Sequence, residues 1–119
     1  MTATPYHRKL ARVLERMGGL YTLSDILARI ADGRMQSFVE NQSWAITEVQ
    51  VFPRARQLTI VAYVGDLEDI DALQQRIFAF AGEIDVSLVA AHGRIGWAPH
   101  AAKRGWRLKA RNYIYHKEL

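Results

Sequence analysis

The chain has no cysteine, which removes disulfides, thiolate metal sites and nucleophilic thiols together. Proline is scarce, with three in 119 residues, so few segments are barred from helix or sheet. No run of about 18 apolar residues occurs, so no transmembrane helix is expected. The first helix-like stretch carries Arg8, Lys9, Arg12 and Arg16 where a secretory leader would be apolar, and no leader is expected. What is present is a half-apolar composition at a length typical of one domain with a real core.

The net charge of +4 hides a segregation. Between Asp66 and Asp85 stand six acids (Asp66, Glu68, Asp69, Asp71, Glu83, Asp85) and one base, Arg76. From Val86 onward stand seven bases (Arg94, Lys103, Arg104, Arg107, Lys109, Arg111, Lys117) and one acid, Glu118. Opposite patches on one small domain suit self-assembly, although solvated faces account for them equally well.

Periodicity divides the chain. Thr4-Pro5 opens a helix with the stripe Leu10, Val13, Leu14, Met17, and Gly18-Gly19 stops it. Thr22 caps a second helix at Asp25, with Leu23, Ile26, Leu27 and Ile30 repeating until Gly33. Strands follow at Met35 to Val39, around Trp44 to Val49, and at Leu58 to Val64, where Leu58, Ile60, Ala62 and Val64 are expected to share a face. Both faces of that third strand are apolar, which predicts a central strand covered by helices. Asp66 is read as the cap of a long helix bearing Leu67, Ile70, Leu73, Ile77 and Phe80. After it come a strand over Val86 to Ala91, a turn at Gly93 to Gly96, a short helix from Trp97 to Lys103, and a last strand from Trp106 to about Lys117. One domain over 1–119 is predicted, with 1–19 as a helical arm and 20–119 as the core. Trp44, Ile46, Leu58, Ile60, Ile70, Leu73, Ile77, Phe80, Leu88, Trp97 and Trp106 are expected to be mostly buried.

Chemistry is harder to find. His7, His92, His100 and His116 fall in separate elements without metal-site spacing, so no metal is expected. No nucleophile elbow, Walker loop or dinucleotide fingerprint occurs. Gly93-Arg94-Ile95-Gly96-Trp97 reads as a tight turn that plugs Trp97 into the core, with a role for Arg94 left open. The final strand places Arg107, Lys109, Arg111, Tyr113, Tyr115 and Lys117 on one face. Such a face either grips nucleic-acid backbone or covers a partner subunit, and the second reading is favoured.

Gly93-Arg94-Ile95-Gly96-Trp97, then Lys103-Arg104-Gly105-Trp106 and a terminal strand, follow Asp32-Gly33-Arg34, Trp44-Ala45-Ile46-Thr47 and Phe52-Pro53-Arg54. From about Leu20 to the end, this order resembles small phage-encoded proteins with a reduced GNAT-like (Gcn5-related N-acetyltransferase-like) domain. The resemblance implies an α+β fold, a GNAT-like mixed β-sheet with packed helices, preceded here by an N-terminal helical hairpin. Working enzymes of that superfamily hold the CoA pyrophosphate on a Q/R-x-x-G-x-G/A loop. The matching segment, Tyr63 to Asp69, lacks the second glycine and the leading Arg or Gln. It puts Asp66, Glu68 and Asp69 where a dianion belongs, and a like charge about 4 Å away costs about 1 kcal/mol even in water. No cofactor is therefore expected.

The resemblance then implies a phage virion or assembly protein, at the head-to-tail connector or tail, found in the virion and in host cytoplasm during assembly. Its partners would be copies of itself and other virion proteins, met through Tyr6, Arg8, Lys9, Arg12, Arg16, the final strand's face, and Asp66, Glu68 and Asp69. The alternative it implies is an acetyl-CoA-dependent N-acetyltransferase, with Glu48 as base, Tyr113 or Tyr115 as acid, and Gly65, Asp66 and Leu67 at the cofactor. A basic accessory protein with weak, sequence-blind nucleic-acid binding is the third reading.

Overall fold

The computed structural model describes residues 5–92, 97–109, 117 and 118, with the backbone only at Pro5 and Tyr6. Helices α1 (Pro5–Arg16) and α2 (Leu23–Ala31) precede strands β1 (Gln36–Glu40), β2 (Ser43–Val51) and β3 (Arg56–Val64). A 3₁₀ turn (Leu67–Asp69) leads into α3 (Ile70–Glu83), followed by β4 (Val89–Ala91) and α4 (Ala98–Lys103). The sheet order is β1-β2-β3-β4, antiparallel through the first three strands and parallel between β3 and β4. The parallel pair requires a crossover, which α3 supplies.

Alternation along the strands divides the core in two. Trp44 and Ile46 pack with Leu10 and Leu14 of α1 and Ile26 of α2. Ala45, between them, packs on the other face with Leu73, Ile77 and Ala81 of α3. The sheet is thus covered on both faces, as the doubly apolar β3 predicts. Leu10 and Leu14 are 1% and 4% exposed, each contributing roughly 1.5–3 kcal/mol by burial. The N-terminal helix is therefore part of the core and not an arm beside it.

The capping box expected at α2 is formed: Thr22 Oγ1 accepts from the Asp25 amide (3.2 Å) and Asp25 accepts from the Thr22 amide (2.8 Å). Other expectations are corrected. The β2–β3 register slips between Ile46 and Thr47, so that Ile46 opposes Ala62 but Thr47 opposes Ile60. Val61 is the extra residue, and a one-residue insertion turns every later side chain to the opposite face. Leu58 and Ile60 accordingly pack toward α3, whereas Ala62 and Val64 pack toward α1 and α2.

Leu88 and Trp97, expected inside, are 45% and 37% exposed. β4 pairs over three residues only and begins at Val89, so Leu88 contributes its carbonyl to the Leu58 amide (2.9 Å) and not its side chain to the core. Asp66 makes no side-chain cap. Trp106 to Lys109 are irregular, not strand, and the rest of the expected last strand, residues 110–116, lies outside the described residues. The Thr4 cap and the turn at residues 93–96 lie outside them as well. No helix among the described residues is long and apolar enough to cross a membrane.

Candidate functional site

The loop from β3 into α3 is where the resemblance places the pyrophosphate loop and where the sequence carries acids instead. Its geometry is set by Gly65, which has φ +136° and sits so close to β2 that a Cβ would lie 2.4 Å from the Ser43 Cα. No L side chain fits that backbone or that space. The close approach brings the fully buried Ser43 hydroxyl under the loop, where it accepts from the Asp66 amide (2.8 Å) and donates to the Asp69 carboxylate. Asn41 Nδ2 donates to the other oxygen of Asp69 (2.7 Å). These two hydrogen bonds, Ser43 first, hold the Asp69 carboxyl below its ordinary value.

Asp69 therefore points inward, 4% exposed, and is a structural anchor; the expectation that it lies at an anion site or interface is corrected. Asp66 and Glu68 remain exposed at the loop mouth. The amides are also spoken for: Asp66 donates to Ser43, Asp69 to the Asp66 carbonyl (3.2 Å), and Ile70 to the Leu67 carbonyl. A phosphate approaching this helix N-terminus meets two carboxylates and few free donors, the reverse of an anion site.

Tyr63, which opens the matched segment, and two residues that sequence reasoning did not assign to the site, Trp97 and Arg104, flank the loop. Tyr63 donates its hydroxyl to the Asp66 carbonyl, and burial, then the carboxylates of Asp69 and Asp66, pushes its pKa up. Trp97 stands edge-on to Tyr63, ring centroids 5.9 Å apart. Arg104 lies across the mouth beside Asp66 and Glu68 and bonds Asp71 at 2.7 Å. The charge segregation in the sequence held the signal for the last contact, since Arg104 lies in the basic stretch after Val86 and Asp71 in the acidic segment.

Of the proposed catalytic groups, Glu48 is not at this loop. Glu48 is half-buried on β2, facing α2, with Arg29 at 3.5 Å. It lies one strand away from the opening between β3 and β4. Tyr113 and Tyr115 lie outside the described residues, as do Arg111 and the side chain of Tyr6. Arg8, Lys9, Arg12 and Arg16 are exposed along α1, and Arg107, Lys109 and Lys117 are exposed near the C-terminus. Among the described residues no group of three or more His, Asp or Glu is placed to hold a metal.

One feature does fit cofactor binding. β4 pairs with β3 only from Leu58 to Ile60, the residue before the bulge. Beyond it, the outer edge of Val61 to Val64 has no strand partner among the described residues, and an edge of that kind can take an extended ligand.

Neither the family models nor the curated proteins compared with this chain match it. Solved structures do. A tetramutant of the BH1408 protein from Bacillus halodurans superposes with a TM-score of 0.64 at 9% identity, covering 95% of this chain and 88% of that one. A probable acetyltransferase matches with a TM-score of 0.61 at 10% identity, over 99% of this chain and 95% of that one. An acetyltransferase from Trypanosoma brucei matches at 0.58 and 20% identity, over 93% and 94%. The chain has a GNAT-like α+β fold, a mixed four-stranded sheet with packed helices. At these identities the likeness is one of fold, and a fold by itself does not carry an activity.

Proposed function

We propose that this chain uses an acetyltransferase-like scaffold for protein contacts, as a structural or assembly component, and not for acetyl transfer. The observation that carries the reading is the β3–α3 loop, closed onto Ser43 through Asp66 and Asp69 with Asp66 and Glu68 at its mouth. The setting we propose is a phage particle, at the head-to-tail connector or tail, as the motif resemblance implies. Calorimetric titration with acetyl-CoA tests the choice: no binding in the micromolar range is expected, and micromolar binding overturns the reading. Mass spectrometry of purified particles tests the setting, and absence of the polypeptide from them rules it out.

The edge of β3 beyond Ile60, which has no strand partner among the described residues, favours a second reading, acetyl transfer from acetyl-CoA to an amine. In that reading the pantetheine arm would pair along Val61 to Val64, and Tyr63 and Trp97 would line its path. The same titration decides between the two.

A further inference from the structure

β1 stands at one end of the strand order, and its outer edge has no strand partner among the described residues. Glu40 and Ser43 flank the two-residue turn at Asn41 and Gln42, and the residues in that position form a hydrogen-bonded pair. Antiparallel pairs alternate between exchanging both hydrogen bonds and exchanging none. Val39 and Ser37, opposite Trp44 and Ile46, therefore turn their amides and carbonyls away from β2. An edge of this kind templates the addition of another strand unless something covers it.

Arg76 covers it. This side chain of α3 touches three successive residues of β1. Its Nη1 donates to the outward Val39 carbonyl (2.5 Å) and pairs with the Glu40 carboxylate at 3.7 Å, while its guanidinium lies over the Phe38 ring, 5.7 Å from the centroid. Each contact is weak alone at an exposed site. Together they hold the guanidinium across the edge, on the carbonyl that an incoming strand would have to pair. The other end of the edge is held as well: Met35, next in the same alternation, donates its amide to the Arg29 carbonyl of α2 (3.0 Å).

We infer that Arg76 guards β1 against pairing with β1 of a second copy. The strand is complementary to itself. An antiparallel pair centred on Phe38 opposes all five residues of β1. Ser37 then meets Val39 of the other copy through groups that already point outward, and Gln36 meets Glu40, an amide donor beside a carboxylate with no like charges opposed. Such a pair joins two four-stranded sheets into one of eight across a two-fold axis. It needs the Val39 carbonyl that Arg76 occupies, so guard and pairing exclude each other. Neither the contact-scaffold reading nor the acetyl-transfer reading uses this edge, and the guard stands or falls apart from both.

Sedimentation velocity and hydrogen exchange of the full chain test it. Arg76→Ala, and Arg76→Met, which keeps an apolar stem over Phe38, should each dimerise at least about tenfold more tightly than the wild type. The Ser37 and Val39 amides of these variants should exchange more slowly as concentration rises. Adding Gln36→Glu to Arg76→Ala should weaken the dimer about tenfold, because it opposes two carboxylates at both ends of the pair. The new carboxylate still accepts from the Thr47 hydroxyl, as Gln36 does (2.8 Å), so the fold is kept. Adding Val39→Pro instead should leave a monomer, since it removes a donor that β1 does not use toward β2. Thermal melting checks that each variant is folded, and should Val39→Pro melt early, the Gln36→Glu arm decides. Arg76 variants that associate no better than the wild type overturn the inference. So do dimers that withstand Gln36→Glu unchanged, or Ser37 and Val39 amides whose exchange ignores concentration.

Discussion

At the scale of single residues, Gly65 and Ser43 decide what the β3–α3 loop can be. Gly65→Ala forces a Cβ into the backbone of Ser43 at a positive φ, and a destabilisation of about 2 kcal/mol or more is expected, measured by urea unfolding. Asp69 gives the loop a pH signature. Its folded-state pKa lies below the ordinary 3.8, through the hydrogen bonds from Ser43 and Asn41. A depressed carboxyl stabilises the fold at pH values above its unfolded pKa, and that contribution is lost as pH falls through the folded one. The melting temperature should therefore drop as the solution is acidified below about pH 4. Asp69→Asn should be less stable at neutral pH and flatter across that window. If the variant's acid profile matches the wild type's, the carboxylate is not the anchor described.

At the scale of elements, the bulge at Val61 does two jobs. It hands the face of β3 from α3 over to α1 and α2, and it marks the end of β4 pairing. Each half of β3 consequently depends on a different helical layer. Truncating Leu14, which is 4% exposed against Trp44, Ile46 and Val64, should cost about 2–5 kcal/mol, as for other large-to-small core changes. Equilibrium unfolding of Leu14→Ala checks this. A cost near zero would mean that α1 is an appendage. Much of this scale was legible in the sequence. The 3.6 and 2.0 periods located both α1–α2 helices and three strands within a few residues, because amphipathic faces record what they bury. The bulge was not legible, since Val61 is as apolar as its neighbours and the slip exists only relative to β2.

At the scale of the whole molecule, the charges that the sequence separates along the chain are redistributed by folding. The acidic segment and the start of the basic tail meet within one molecule at Asp71 and Arg104. Outside such pairs, among the described residues, exposed bases line α1 and stand at Lys103, Arg107 and Lys109, and exposed acids include Asp66, Glu68, Glu83 and Asp85. Protein contacts made through these exposed charges should weaken steeply as salt rises, because a Debye length of about 10 Å at 0.1 M screens rim charges; sedimentation across a salt series reads this. Insensitivity to salt would locate any contact in apolar groups alone.

The sequence by itself determined most of the elements and the two-sided burial of the sheet, because periodicity and glycine stops are local and survive translation into backbone. The GNAT-like fold was what the motif resemblance implied, and the solved structures bear it out. The sequence also showed that the expected phosphate loop is acidic. Only the tertiary structure decided where those acids go. Asp69 turns inward because Gly65 lets the loop touch Ser43, a residue 26 positions away whose hydroxyl could not be read as a partner from spacing. The exposure of Trp97 and Leu88 was decided the same way: apolar character says what a side chain gains from burial, whereas the three-residue length of β4 sets how much core is there to receive it.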